Sequence, residues 1–258
     1  FRSPRDGTRH ILTPEASVDI QKKLGADLIV VLDECTPYHV DRKYTEDSLA
    51  LTERWADRSL AEFERGHDGR QALYGVVQGG VYKDLRRESA EFVSSRPFFG
   101  HAIGGCLGAQ GEQMYGVVRH SMEPLRRDRP VHLLGIGSIR DIWEGVEMGI
   151  DTFDCVTPTR IARHGWALSR EAPSFRRNLR NAKFREDDAP LEEDCDCIAC
   201  RRHSRAYIHH LLKANEILGL HLLTVHNIRY MTRLLALIRA AILADRLLEA
   251  KQDFLNSC

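Results

Sequence analysis

The chain has 258 residues, 43% of them hydrophobic and 29% charged, which is enough for one large domain or two small ones. Its 37 basic and 37 acidic residues give a net charge of zero, so the total charge neither indicates nor excludes a nucleic-acid partner. No apolar run approaches the roughly 20 residues of a membrane span, and no segment is typical of a signal peptide.

Apolar segments alternate with helical patterns from the first helix onward. Thr13-Pro14-Glu15 is typical of a helix start, and Gly25 ends that helix. Later, Ser138 and Asp141 form an S-x-x-D capping pattern for another helix. Five apolar segments between the helices are predicted to be buried strands: 26–34, 73–80, 100–105, 130–137 and 150–156.

Strands that alternate with helices predict a parallel sheet covered on both faces. Each segment ends in polar residues or glycine, which is typical of a barrel whose function lies at the carboxyl ends of its strands. A doubly wound sheet is the alternative, but no G-x-G-x-x-G follows the first strand. We therefore predict an α/β fold, a TIM (β/α)8 barrel with its N-terminal strands missing, because only five or six strands are visible and the chain starts at Phe1 in what looks like a loop.

The stretch 149–163 is predicted to be a short strand that delivers Asp154 and then breaks at Pro158 into an arginine-bearing loop. A carboxylate at the end of a barrel strand is where catalytic groups lie. The alternative is that Asp154 only caps the next turn, and these residues alone leave both interpretations open.

Charge is unevenly distributed after this stretch. Residues 159–185 include eight basic side chains and one acidic one, whereas residues 186–196 include seven acidic and no basic ones. The basic segment predicts a face that contacts phosphates. A solvated surface balanced by the acidic segment is the alternative.

Seven cysteines, three of them clustered, are typical of reduced thiols and a metal site in an intracellular, here cytoplasmic, protein. Cys195, Cys197 and Cys200 have C-x-C-x-x-C spacing, and three thiolates with one histidine form the closed tetrahedral set of structural Zn2+. His226, at the end of an apolar run, is the favoured fourth ligand. The competing histidines are His203, His209, His210 and His221.

Ordered motifs along the whole chain resemble a known family. They read FRSPRDG, LTPE, LDECTPYH, VVQGGVY, AIGG, LLGIG, DTFDCVTPTRIAR, CDCIAC, HSRAYIHHL and TVHN. The chain resembles bacterial tRNA-guanine transglycosylases (queuine tRNA-ribosyltransferases). The resemblance implies a TIM barrel with an inserted zinc-binding subdomain. It also implies exchange of guanine at wobble position 34 of G-U-N anticodon tRNAs for a 7-deazaguanine, either queuine or its 7-aminomethyl precursor.

The resemblance also assigns roles to individual residues. Asp154 would be the nucleophile that forms a covalent bond to the ribose, and a homodimer without membrane contact would be the working form. Contacts to the base are assigned to Asp33, Cys35, Gln78, Gly104, Gly105, Cys106, Gly108 and Leu134. Contacts to the anticodon-loop RNA are assigned to Gly135, Ile136, Gly137, Ser138, Ile139, Arg140, Asp141, Thr159, Arg160, Ile161, Ala162 and Arg163. Zinc would be held by Cys195, Cys197, Cys200 and His226.

Three departures from the family pattern limit these assignments. The family's general acid/base aspartate would lie upstream of Phe1, and Gln110 stands where a glutamate is usual. Gly108 leaves room for queuine whereas Cys35 resembles enzymes that use the precursor, and the balance favours queuine. A non-catalytic tRNA-binding partner subunit is the competing function, against which the intact Asp154 motif argues.

The predicted division of the chain has three parts. Residues 1–185 are assigned to the partial barrel and residues 186–227 to the zinc-binding subdomain. Residues 228–258 are expected to form a C-terminal helix that packs back on the barrel.

Overall fold

A computed structural model describes residues 1–105, 107 and 111–256. The predictions for Cys106, Gly108 and Gln110 therefore lie outside the described residues. The chain forms two compact units, one of Phe1–Gly135 with Glu144–Phe153 and the other of Ile136–Trp143 with Asp154–Cys258. No described helix is both long and apolar enough to cross a lipid bilayer. The three-part division at 185/186 and 227/228 stays a prediction.

Strands and helices alternate along the first unit, with α5 shared between the two units. The elements are α1 (Pro14–Leu24), β1 (Leu28–Val30), α2 (Arg42–Glu64), β2 (Ala72–Val77), α3 (Lys83–Ser95), β3 (Gly100–Ile103), α4 (Glu112–Met122), β4 (Val131–Leu133), α5 (Ile139–Met148) and β5 (Thr152–Phe153).

The five strands form one parallel sheet in the order β1-β2-β3-β4-β5. Neighbours in sequence are thus neighbours in space, and a helix follows each of the first four strands. This is how a (β/α)8 barrel is built, whereas a doubly wound sheet reverses its strand order at a switch point. The predicted α/β partial TIM barrel is confirmed, and the doubly wound alternative is excluded.

The predicted helix signals act locally as expected. The Thr13 hydroxyl accepts a hydrogen bond from the Ala16 N–H at 3.2 Å, and Gly25 ends α1 with φ 73°. The strands are shorter than predicted, because β1 contains three residues of the segment 26–34. The polar residues that close each apolar segment lie beyond the strand, in the loops that follow.

His101 in β3 is a fully buried imidazole. Neither of its ring nitrogens has a hydrogen-bond partner among the described residues. Burial, aided by the nearby positive charges of Arg129 and Arg126 and opposed by the charge of Asp128, lowers the pKa of His101 from 6.5 to about 4. The folded protein therefore holds His101 neutral.

This burial predicts a contribution to acid sensitivity. An unfolded histidine takes up a proton near pH 6.5 while the folded one resists it down to about pH 4, so stability is lost as the pH falls through that window. We expect His101→Leu to lose less unfolding free energy between pH 7 and pH 4.5 than the unaltered protein, by up to about 3 kcal/mol. Denaturant unfolding at both pH values measures this. Equal losses in the two proteins would show that His101 is not the group responsible.

The second unit is mostly helical. It contains α6 (Thr157–Arg163), the antiparallel strands β6 (Trp166–Leu168) and β7 (Arg176–Asn178), α7 (Ile198–Arg202), α8 (Arg205–Lys213), α9 (Ile217–Leu243) and α10 (Leu247–Leu255). Short 3-10 turns occur at Pro173–Phe175 and Ala182–Phe184. Its core packs apolar side chains from α6, α8 and α9 around the buried cysteines.

One local prediction was wrong. The chain does not break into a loop at Pro158, because Thr157–Arg163 forms α6 with the proline in its first turn. Proline is accepted there since the first N–H groups of a helix have no intrahelical partner. Thr159, Arg160, Ile161, Ala162 and Arg163 thus lie on a helix.

Candidate active site and metal centre

Three residues predicted to bind a base come together at strand ends in the first unit. Gln78 follows β2, and its fully buried side chain donates from Nε2 to Asp33 Oδ2 at 2.5 Å. Gly105 follows β3 with φ 76°, and a Cβ added there would lie 2.0 Å from Gln78 Oε1. Glycine at this position is required both by the backbone conformation and by the amide packed against it.

The polar groups of this cluster are poised for a ligand. Burial raises the pKa of Asp33, and the hydrogen bond from Gln78 opposes that rise by stabilising the carboxylate. Gln78 Oε1 is buried and has no hydrogen-bond partner among the described residues. The backbone N–H of Gln78 donates to the Ser89 hydroxyl at 3.0 Å, which fixes the start of the loop. A buried acceptor of this kind is costly unless something donates to it.

Other predicted base contacts surround this cluster. A Cβ on Gly104 would lie 3.1 Å from Leu134 Cδ1 and 3.3 Å from Gln78 Nε2, so Leu134 borders the same space. Cys35 is exposed, two residues after Asp33. Gly104 keeps this space open because any side chain there would fill it.

Asp154 is the first residue after β5 and is exposed. Cys155, the residue after Asp154, packs against Gly137 in the second unit. A Cβ on Gly137 would be 2.6 Å from Cys155 Cβ. The Cys155 sulfur in turn accepts from the Thr157 N–H at 3.4 Å, at the start of α6. The backbone that carries Asp154 is thus held between the 136–137 loop and α6.

We expect Gly137→Ala to reduce activity far more than stability. The added methyl group would displace Cys155, and with it the adjacent Asp154, by several tenths of an ångström. Small displacements of a reacting group cost about a hundredfold in rate. The measurement is kcat for base exchange beside a thermal melt, with Gly116→Ala as control, since a Cβ there meets nothing within 4 Å. Full activity in Gly137→Ala would contradict this account.

A pocket of about 360 Å3 in the second unit is lined by five of the predicted RNA contacts: Gly137, Ser138, Ile139, Arg140 and Ile161. The rest of its lining comes from the first turn of α6, from β6 and β7, from the turn between these strands, and from α9. Arg160 and Arg163 are exposed, and neither forms an ion pair within the described part of the chain. The Ser138 hydroxyl accepts from the Asp141 N–H at 3.2 Å, as the capping pattern predicted.

The predicted metal ligands converge in the core of the second unit. Ligand atoms of Cys195, Cys197, Cys200 and His226 lie within 4.8 Å of one another. His226 Nδ1 is 3.7 Å from the sulfurs of Cys195 and Cys197 and 3.3 Å from that of Cys200. Its Nε2 lies 2.9 Å from the Leu168 carbonyl, to which it donates when Nδ1 serves as the ligand.

The electrostatics of this cluster fit a cation. Hydrogen bonding from Cys200 lowers the pKa of the Cys197 thiol to about 3, and the same contact raises the pKa of Cys200. Burial opposes a charged imidazole, but the Cys195 and Cys197 sulfurs raise the pKa of His226 to about 9. The group therefore retains a thiolate and attracts positive charge. Three thiols and an oriented imidazole are the ligand set of structural Zn2+.

The other histidines have different surroundings. His209 is buried, and its Nδ1 lies 2.7 Å from the Leu179 carbonyl. His210 and His221 are exposed, and the ring of His203 stacks on Tyr207. Among these five histidines, only His226 joins the cysteines.

Asn227 is a buried residue that the sequence interpretation missed. Its Oδ1 accepts from the Leu168 N–H at 2.8 Å, and its Nδ2 donates to the Pro158 and Trp166 carbonyls at 2.9 and 3.1 Å. It thereby connects the helix that carries His226 to α6 and β6. The sequence does carry a signal for it: Asn227 lies four residues after the apolar Leu223, and that spacing places its polar side chain on the same buried face of the helix.

The fold and these side chains define a partial TIM-barrel protein with a polar cluster at its strand ends and a potential zinc site. A sequence model of the family "Queuine tRNA-ribosyltransferase" matches residues 1–258. The queuine tRNA-ribosyltransferase of Thermoanaerobacter pseudethanolicus is 46% identical over 257 residues, which are 98% of this chain and 67% of the relative. That of Synechococcus elongatus is 47% identical, over 96% of this chain and 64% of the relative. That of Herpetosiphon aurantiacus is 45% identical, over 99% and 64%.

The chain belongs to the queuine tRNA-ribosyltransferase family, which consists of tRNA-guanine transglycosylases. It spans about two thirds of the length of these relatives. The family resemblance of the sequence motifs is confirmed.

Proposed function

We propose that this protein exchanges the guanine at wobble position 34 of tRNAs with a G-U-N anticodon for a 7-deazaguanine base. The cluster of Asp33, Gln78 and Gly105 is the single observation that carries the proposal. A partly buried carboxylate that is hydrogen-bonded to a buried amide is suited to a purine with adjacent donors and an acceptor. A barrel that acted only as a scaffold would have no use for it.

Guanine matches this cluster on its Watson–Crick edge. Its N1–H and 2-amino groups are two donors that an ionised Asp33 can accept. Its O6 is an acceptor that suits the Gly105 N–H and the second hydrogen of the Gln78 amide, the first being directed at Asp33. The base has to leave the anticodon stack to be read in this way.

Asp154 is proposed as the nucleophile. Its carboxylate oxygen bonds to ribose C1′ as the N-glycosidic bond breaks, and the bonding electrons pass to the leaving guanine, which takes a proton from a general acid. The incoming base then gives its proton to that same group, which has become a general base, and displaces the carboxylate from C1′, so the phosphodiester backbone stays intact. Retaining glycosidases use a carboxylate in the same manner. The exposed position of Asp154 directly after β5 supports this role.

The RNA backbone is proposed to lie along residues 135–141 and α6. Arg160 and Arg163 supply two exposed guanidinium groups for phosphates. The capped N-terminus of α5 offers further N–H groups. The 360 Å3 pocket beside these residues is large enough for part of a neighbouring nucleotide.

Cys195, Cys197, Cys200 and His226 are proposed to hold a structural Zn2+. With four protein ligands, the ion contributes folding energy and no open coordination position. The protein's own residues therefore carry the reaction. A homodimer and a cytoplasmic location, both predicted above, are compatible with this function.

The incoming base is proposed to be queuine. The absence of a side chain at Gly108 leaves room for its cyclopentenediol, whereas Cys35 argues for the 7-aminomethyl precursor. Competition between the two bases for incorporation decides between them. Preferred incorporation of the precursor would overturn this part of the proposal.

Incorporation of labelled guanine into tRNA tests the function itself. We expect the full-length protein to label a G-U-N tRNA and to leave the same tRNA with adenosine at position 34 unlabelled. Binding of the tRNA without any labelling would favour the non-catalytic partner subunit instead.

A change at Asp33 tests base recognition. The side-chain amide introduced by Asp33→Asn would present one acceptor and one donor where guanine offers two donors, so one unpaired contact results. We expect the KM for guanine to rise about a hundredfold, because burial makes an unpaired polar group cost a few kcal/mol. Asp27→Asn, at an exposed aspartate before β1, is the control. An unchanged KM for guanine in Asp33→Asn would remove Asp33 from the base site.

A further inference from the structure

Arg86 is a charged side chain completely buried in the first unit. It lies in α3, and its guanidinium donates to three backbone carbonyls. Nη1 donates to Gly104 O at 2.9 Å and to Val77 O at 3.1 Å, and Nε donates to Gly80 O at 2.7 Å. Burying a cation is costly unless its donors are satisfied, and these carbonyls accept bonds from three of its five N–H groups.

The three carbonyls belong to the two segments that frame the Asp33–Gln78–Gly105 cluster. Val77 is the last residue of β2 and directly precedes Gln78. Gly80 lies two residues after Gln78, in the loop that follows β2. Gly104 follows β3 and precedes Gly105. One side chain therefore fixes the backbone on both sides of Gln78 and at the peptide that leads to Gly105.

The hydrogen bond from Arg86 to the Gly104 carbonyl also sets the direction of the Gly105 N–H. In a trans peptide the C=O and the N–H of the next residue point to opposite sides. Because Arg86 holds the Gly104 carbonyl, the Gly105 N–H is turned away from Arg86. A donor fixed in this way needs no reorganisation when an acceptor arrives, which strengthens the contact.

The surrounding chain is built for this arrangement. Gly79 has φ 123°, and a Cβ there would lie 2.8 Å from the Arg86 backbone nitrogen, so the loop packs directly on α3. A guanidinium is planar and has five N–H donors in fixed directions, which lets it serve several carbonyls at once. An ammonium group is a point charge and cannot reproduce that geometry.

We propose that Arg86 is a positioning residue for recognition of the base O6, acting through the Gly104–Gly105 peptide. This rests on the proposed function, because it assumes that Gly105 donates to the purine. Arg86 itself does not touch the base. Its loss leaves the donor present but misdirected.

Arg86→Lys in the full-length protein tests this, with kinetics for each substrate measured separately. We expect the KM for guanine to rise about tenfold, as for one misplaced hydrogen bond, while the KM for tRNA changes less than about twofold. Arg87→Lys is the matched control, because Arg87 is exposed and its nearest carboxylate, Glu123, is 3.4 Å away. A fall in melting temperature with an unchanged KM for guanine would overturn the proposal and leave Arg86 a purely structural residue.

A change in the base gives a second readout. 6-Thioguanine keeps the N1–H and amino donors but replaces O6 with a weaker acceptor. We expect the unaltered protein to favour guanine over 6-thioguanine, and Arg86→Lys to lose most of that preference. An undiminished preference in the variant would overturn the proposal.

The two proposals fail in different ways. If the unaltered protein exchanges no guanine, the proposed function is wrong. If it exchanges guanine and Arg86→Lys has the same KM for the base, only the role of Arg86 is wrong. If Arg86→Lys does not fold, the Gly105 amide proton of the unaltered protein is followed by NMR. We expect a downfield shift with guanine that is smaller with 6-thioguanine, and equal shifts would overturn the proposal.

Discussion

Asp154→Asn is expected to lower the rate of guanine exchange by at least about a thousandfold while the protein remains folded. The amide is close in size to the carboxylate but is neutral and too weak a nucleophile to form the ribosyl ester. Single-turnover incorporation of labelled guanine measures the rate. Denaturing electrophoresis of enzyme mixed with labelled tRNA should show a covalent adduct for the unaltered protein and none for the variant.

Asp151→Asn is the matched control, because both aspartates belong to the same short run around β5. Asp151 Oδ2 accepts from the Val131 N–H at 2.7 Å, which connects the starts of β4 and β5. Because the amide oxygen of asparagine can still accept this bond, the change should cost at most about 1 kcal/mol of stability and at most a few-fold in rate. Exchange that survives in Asp154→Asn, or that falls equally in Asp151→Asn, would contradict the assignment of the nucleophile.

The sequence predicts the sheet well because the signals are local and repeated. Each apolar segment was predicted to be a strand, and the pairing order followed because a helix separates each strand from the next. Burial on both faces was predicted less well, since Leu28 of β1 and Thr152 of β5 are exposed. Asp33, Gln78 and Gly105 could be placed together for the same reason, since parallel strands end at one edge of a sheet. Their mutual contact, 2.5 Å between Gln78 Nε2 and Asp33 Oδ2, was beyond any sequence pattern.

The features that the sequence interpretation missed depend on tertiary contacts. Arg86 and Arg87 are adjacent identical residues, yet one is fully buried and the other exposed. Helical spacing from Arg86 to the buried Ala90 and Val93 places Arg86 on the apolar face, but the three carbonyls that help a cation to be tolerated there are contacts that no local spacing reveals. Pro158 was interpreted as a break because its position relative to the helix start could not be known in advance.

The cluster proposed to hold zinc could be predicted more completely than the residues proposed to bind the base. Cysteine spacing is a strong signal since three thiolates at C-x-C-x-x-C are costly to bury without a metal. Choosing among the histidines was harder, because His209 is as deeply placed as a ligand would be. The structure separates them by partner, a backbone carbonyl for His209 and three sulfurs for His226.

His226→Ala is expected to reduce bound zinc from about one ion per chain to well below half and to lower the melting temperature by about 10 °C or more. Removing the imidazole leaves three sulfurs with an open position and takes away the bond to the Leu168 carbonyl. Elemental analysis after dialysis against a mild chelator measures the metal, and calorimetry measures the melting. Zinc content equal to that of the unaltered protein would remove His226 from the ligand set.

Two other histidines separate loss of metal from loss of packing. His210→Ala, at an exposed position on α8, should change neither zinc content nor melting temperature. His209→Ala should lower the melting temperature by removing the contact to Leu179 while zinc content stays the same. Loss of zinc in His209→Ala would mean that packing of α8, and not the fourth ligand, controls metal binding.

Loss of zinc should also loosen the residues that are proposed to hold the tRNA. Asn227 follows His226 directly and bonds to the Pro158 carbonyl in the first turn of α6. His226 contributes to that arrangement, because its bond to the Leu168 carbonyl helps to hold α9 against β6. We therefore expect faster amide hydrogen exchange in residues 157–163 of His226→Ala, and a KM for tRNA that rises more than the KM for guanine. Asn227→Leu should reproduce the faster exchange with zinc still bound, because it removes the connection and leaves the four ligands in place.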